Sequence, residues 1–266
     1  MEEMDMTQTI LKTHDLSIRF GGVTAVDHVN IEASENELIG LIGPNGAGKT
    51  TLFNLLTGVY RPTEGDVALF DGQKLAIVNQ QSPAKRARLG IARTFQNIRL
   101  FESRTVLENV MIAVNSHTRA HTWDAILRLP SFYKHEATLK NEARQLLSIF
   151  DMLGVQDTLA TNLPYGQQRR LEIVRALATK PKILFLDEPA AGMNPQETAD
   201  LTRLIKQVQQ EFKMTIILIE HDMNLVMAVS ERLYVLEYGK LLASGTPAEI
   251  QQNADVIRAY LGENDT

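Results

Sequence analysis

The chain has 266 residues, 44% of them hydrophobic and 22% charged, which suits one large globular domain with room for an inserted lobe and excludes disordered and fibrous classes. A formal charge of −5 with no long basic run argues against a nucleic-acid partner, and the absence of cysteine excludes disulfides and thiolate metal sites. Glu2, Glu3 and Asp5 stand where a secretion signal would be basic and then apolar, and no apolar run approaches the roughly 20 residues of a membrane helix. The expectation is a cytoplasmic protein without export signal or transmembrane segment, whose membrane role, if any, is borrowed from partners.

In chain order, residues 17–31 and 66–75 read as short strands broken by the turn pairs Gly21-Gly22 and Asp71-Gly72, an antiparallel flank. Between them Leu38-Ile39-Gly40-Leu41-Ile42 is a continuous apolar run of strand length, followed by a glycine-rich turn and by a helical spacing of apolar residues through Leu56. Residues 97–178 are mainly helical in rhythm, most clearly at 137–147 and 168–177, and read as an inserted lobe; the stretch 116–135, with Trp123, is read as packing on that lobe. Two more apolar strands, 182–186 and 215–219, are joined by a helical stretch over 195–212, which is βαβ logic and predicts a parallel sheet. The predicted fold is α/β, with a mostly parallel core sheet, an antiparallel β flank and an inserted helical lobe. The whole of 1–266 forms one domain, with a catalytic core from 1–96 and 179–266 and a helical subdomain from 97–178.

Gly43-Pro44-Asn45-Gly46-Ala47-Gly48-Lys49-Thr50 matches the P-loop pattern after a strand and before a helix. Glycines let successive main-chain N–H groups converge on an anion, and the helix N-terminus adds partial positive charge. In that pattern Lys49 reaches the β and γ phosphates, the Thr50 hydroxyl holds Mg²⁺, and Thr51 touches a nearer phosphate. Downstream, Ile183-Leu184-Phe185-Leu186 delivers Asp187 and Glu188 at the carboxyl end of a strand, the edge where open α/β sheets bind ligands. Asp187 is the expected Mg²⁺ partner; Glu188 becomes the general base if the backbone turns there.

With those residues in place, nearly the whole chain resembles the ATP-binding cassette nucleotide-binding domains, a branch of the P-loop NTPases. The resemblance implies ATP and Mg²⁺ as ligands and gives roles to further residues. Phe20 matches the aromatic that stacks on adenine. Gln96, in Arg93-Thr94-Phe95-Gln96, matches the glutamine that touches Mg²⁺ and the lytic water, and His221 matches the switch histidine at the γ phosphate. Leu163-Pro164-Tyr165-Gly166-Gln167 stands at the signature, where Pro164 replaces a serine and Tyr165 a glycine; Asn194 replaces the aspartate of the D-loop. In this family ATP lies between the P-loop of one subunit and the signature of another, so a second ATPase subunit is implied.

The segments 93–102, 165–175, 188–195, 219–225 and 256–263 resemble most closely the ATPase subunits of branched-chain amino acid importers. That likeness implies two membrane permease subunits, a periplasmic binding protein and a peripheral position on the cytoplasmic face of the membrane. Alternatives are an ATPase for urea or amide import, for lipopolysaccharide export, or a non-transport cassette. Lys49 and Asp187 are only 138 positions apart, too close for the coiled-coil insertions of chromosome and repair ATPases.

Overall fold

The computed structural model describes residues 8–116 and 130–261. The greater part of the 116–135 stretch, including Trp123, lies outside the described residues, as does the end of the 256–263 segment. The chain divides into two compact units, one formed by residues 1–93 with 182–266 and the other by 94–181.

The first unit is built on two sheets. Strands β1 (Thr9–Phe20), β2 (Val23–Val29), β3 (Glu32–Ser34), β5 (Glu64–Phe70) and β6 (Leu75–Ile77) form an antiparallel sheet in the order β2-β1-β5-β6, with β3 also on β1. The second sheet runs β11-β10-β4-β9-β8-β7, from β4 (Leu38–Ile42), β7 (Ile91–Arg93), β8 (Ile183–Asp187), β9 (Thr215–Ile219), β10 (Arg232–Glu237) and β11 (Lys240–Gly245). All its pairings are parallel except β10 with β11. Strands β4, β8 and β9 are buried along their whole length, which is why they read as unbroken apolar runs rather than alternating ones.

Helix α1 (Lys49–Leu56) follows β4 and buries Leu52, Phe53, Leu55 and Leu56 in a cluster shared with Leu11, Val26, Ile39 and Phe185. The Phe53 and Phe185 rings meet edge to face at 5.2 Å, fixing the helix that follows the loop against the strand that carries the acidic pair. At its other end α1 meets a buried cation from α2 (Pro83–Arg88). Arg86 is fully buried and donates from Nη1 to the carbonyls of Leu55 and Leu56, both at 2.7 Å, and from Nη2 to that of Val78 at 3.0 Å. Burial lowers the Arg86 pKa to about 10, so the group stays charged at neutral pH where it answers the negative end of the helix dipole.

The second unit is helical. Helix α3 (Val106–Asn115) opens with a reciprocal capping box between Thr105 and Glu108, and it packs on α4 (Pro130–Ile149) and α5 (Tyr165–Ala178). Leu139, Ala143 and Leu147, four residues apart, give α4 its buried face, as Leu171, Val174 and Leu177 do for α5. Back in the first unit, α6 (Pro195–Phe212) spans residues 195–212, α7 (Met223–Val229) follows β9, and α8 (Pro247–Gln252) and α9 (Ala254–Leu261) follow β11. Among the described residues, no helix is long and apolar enough to cross a membrane.

Candidate active site

The loop between β4 and α1 is possible only with glycine at its two tightest points. Gly43 has φ 150° and Gly48 φ 99°, and a Cβ on Gly48 would sit 2.5 Å from the Ala25 carbonyl oxygen. Gly48 is also the N-cap of α1 and supplies no side-chain cap to the first turn of the helix. The Lys49 side chain is buried and folds back over the loop, its ammonium donating to the carbonyls of Gly43 at 2.6 Å and Pro44 at 2.8 Å.

A cavity of about 450 Å³ opens on this loop. Asn45, Gly46, Ala47, Gly48, Lys49, Thr50 and Thr51 line it on one side, and Glu188 with His221 on another. Glu188 has φ 46°, an uncommon conformation for a side chain of this size, while its N–H still donates to the Ile219 carbonyl at 2.9 Å. The turn carries its carboxylate to His221, with Oε1 3.0 Å from Nε2.

The neighbouring acid goes elsewhere. Asp187 is buried, and its Oδ2 accepts from Arg93 Nη2 at 2.7 Å. Arg93 Nη1 in turn donates to Asn54 at 2.7 Å and Thr57 at 3.0 Å on the phosphate-loop helix side. One largely buried guanidinium thus ties β7, β8 and the end of α1 together.

Several contributors escape sequence reasoning. Glu220 looks like a solvated charge before His221, yet it is buried; its Oε1 accepts from Ala190 N at 2.6 Å and its Oε2 from His221 N at 3.0 Å. It binds the segment after Glu188 to the segment that carries the histidine, and burial raises its pKa above the ordinary 4.5. Val23, Thr24, Ala25, Tyr238 and Gly239 also line the cavity. Tyr238 and Gly239 both have positive φ, the tight turn of the β10–β11 hairpin, and Gly239 N donates to Ala47 O at 3.0 Å. A Tyr-Gly pair between two apolar runs is the turn signal that could have placed it.

Phe20 closes β1 half-exposed, its ring edge-on to Tyr60 at 5.3 Å, and is not part of the described cavity lining. Asn194 caps α6: its Oδ1 accepts from Glu197 N at 3.0 Å, while Glu197 accepts from Asn194 N at 2.9 Å. Gln96 belongs to the helical unit, as do Leu163, Pro164, Tyr165, Gly166 and Gln167. Pro164 is the N-cap of α5 and offers no side-chain cap.

Residues 26–191 match the ABC transporter family model, and residues 240–266 match a model described as branched-chain amino acid ATP-binding cassette transporter. The chain is 47% identical to the high-affinity branched-chain amino acid transport ATP-binding protein LivG of Escherichia coli (strain K12), covering 97% of this chain and 100% of LivG. It is 46% identical to the protein of the same description, BraF, of Pseudomonas aeruginosa, with 97% and 100% covered. Among solved structures, the ADP conformation of an ATP-binding cassette of an ABC transporter aligns with TM-score 0.82 at 30% identity, over 96% of this chain and 100% of that one. The α/β class, the P-loop cavity and the subfamily likeness read from five separate segments meet in one membership: the chain belongs to the ABC transporter family, as an ATP-binding cassette.

Proposed function

We propose that this chain binds ATP with Mg²⁺ in the Gly43–Thr51 cavity, hydrolyses it, and thereby powers a membrane importer of branched-chain amino acids. The observation that carries the chemistry is the 3.0 Å approach of Glu188 to His221 on the wall of a cavity bounded by the phosphate loop. The cargo reading is supported by the match at residues 240–266 and by the end-to-end likeness to LivG and BraF.

Lys49 exchanges the Gly43 and Pro44 carbonyls for β and γ phosphate oxygens, and the loop N–H groups of residues 45–49 take the rest of the charge. Thr50 and Asp187 offer oxygen donors, the hard set that Mg²⁺ takes, and the family resemblance would add the side-chain oxygen of Gln96. Bound there, the ion would neutralise charge on the phosphates. Thr51 holds a nearer phosphate, and Phe20 stacks on the adenine. Glu188 accepts a proton as a water oxygen bonds to the γ phosphorus and the bond to the ADP oxygen breaks; His221 steadies the γ phosphate.

The signature residues Leu163, Pro164, Tyr165, Gly166 and Gln167 face the ATP of a second ATPase subunit, with Asn194 beside that junction. Two permease chains hold the pair at the cytoplasmic face of the membrane, and a periplasmic binding protein delivers cargo to them. The test is reconstitution of this chain with its permeases and second ATPase subunit in vesicles. ATP-dependent leucine uptake is expected. Glu188→Gln should keep ATP affinity while turnover falls about 100-fold or more; undiminished turnover removes Glu188 as base, and uptake of an unrelated solute alone overturns the cargo.

A further inference from the structure

Helix α5 carries a charged pair that the mechanism above does not use. Arg169 is fully buried and Glu172, one turn on, is buried beside it, with Arg169 Nη1 2.8 Å from Glu172 Oε2. An ion pair taken out of water is costly unless its remaining donors and acceptors are met. Here all but the Arg169 Nε are met, chiefly by the main chain of one loop. Arg169 donates to the carbonyl of Phe95 from Nη1 and to that of Gln96 from Nη2, both at 2.7 Å. Glu172 Oε1 accepts from the N–H of Phe95 and of Arg99, both at 3.3 Å. Farther along the helix, Arg175 donates to the Arg99 carbonyl and lies over the Phe101 ring.

The same guanidinium reaches the start of the helix. Arg169 Nη2 is 3.3 Å from the Tyr165 hydroxyl, and Tyr165 is the residue that replaces the signature's first glycine. We propose that Arg169 and Glu172 are positioning residues that clamp the Gln96 loop to the signature helix, so that displacement at Gln96 carries residues 163–167 with it. This rests on the reading of Gln96 and of the signature given above. The loop cannot slide along α5 without stranding a buried charge. Lysine could not substitute, because a single ammonium lacks the planar fork that serves two carbonyls and a carboxylate together.

The test compares three forms of the full chain: the apolar double variant Arg169→Met with Glu172→Leu, the reversed pair Arg169→Glu with Glu172→Arg, and Arg169→Lys as the mildest change. Native-state hydrogen exchange should show about 10-fold or greater loss of protection at the 95 and 99 amides in the double variant, with the α5 amides keeping theirs. In the complete transporter complex the double variant should lose about 10-fold in kcat with KM for ATP within about twofold. The reversed pair should fail likewise, because the main chain requires a donor at 169 and an acceptor at 172; a plain structural ion pair would be restored by reversal. Arg169→Lys should lose part of the protection and keeps the test open should the double variants not fold. Full protection at 95–99 in Arg169→Lys and the double variant overturns the clamp, and so does wild-type behaviour of the reversed pair. Lost protection with unchanged kcat overturns the transmission. A wild-type complex that does not hydrolyse ATP counts against the proposed function instead, since the exchange measurement reads the clamp without turnover.

Discussion

Two helices of this protein begin at segments to which the proposed function assigns nucleotide, and they are built in opposite ways. Helix α1 starts from a loop whose proposed anion-binding groups are main-chain amides of consecutive residues, and its one charged side chain, Lys49, bonds to carbonyls five and six positions earlier. Helix α5 starts at Pro164 without a cap, and its characteristic side chains, Arg169 and Glu172, engage a loop 73 to 77 positions earlier. A site made from adjacent backbone is written in a contiguous motif. A site made from side chains that reach across the chain is not.

The largest break in that contrast should come from Lys49→Ala. It removes two charge-assisted contacts to phosphate, so ATP affinity by calorimetry should fall about 100-fold, or ~3 kcal/mol. Next comes Gly48→Ala, which forces a Cβ against the Ala25 carbonyl at a φ of 99°. Urea unfolding should show a loss of about 2 kcal/mol, along with weakened nucleotide binding, because the strain falls on the cradle itself. Asn194→Ala removes one half of the capping box on α6 and should lower stability by about 1 kcal/mol with ATP affinity unchanged. Equal loss of affinity there would mean that the phosphate loop is not set by its own backbone.

The smallest effect sharpens the comparison through pH. Burial raises the Glu220 pKa in the folded protein above its ordinary 4.5, so the native state holds its proton to higher pH than the unfolded chain does. Its linkage contribution is therefore fully present below about pH 4.5 and is lost as pH rises through the folded value. Glu220→Gln should flatten the fall in stability across that window, read from chemical unfolding at a series of pH values; an unchanged slope would assign the titration to another group.

Much of the fold is legible because its central strands are buried on both faces. Residues 38–42 and 215–219 coincide with β4 and β9, and the helix read over 195–212 coincides with α6, whose Asn-Pro-Gln-Glu start is a capping signal in its own right. The flank is less legible: β1 starts at Thr9, but Lys12, His14 and Asp15 interrupt its apolar rhythm. Strand β10 offers only Leu233 to Leu236 as an apolar run, too short to tell from one turn of helix. In the site, the residues of the phosphate loop are legible because each glycine has a local geometric reason. Arg93, Glu220, Arg169 and Glu172 are not, because a charge whose partners lie far along the chain, in side chains for Arg93 and largely in the main chain for the other three, looks in sequence like any surface charge.

The buried guanidinium of Arg86 gives the helix behind the phosphate loop a fixed foot. The phosphate proposed at the head of α1 would favour the same orientation of the peptide dipoles as this cation at its tail. Because the same guanidinium also holds the Val78 carbonyl, the tail of α1 is anchored to the segment that leads into α2, so Arg86→Ala should loosen both ends of that junction together.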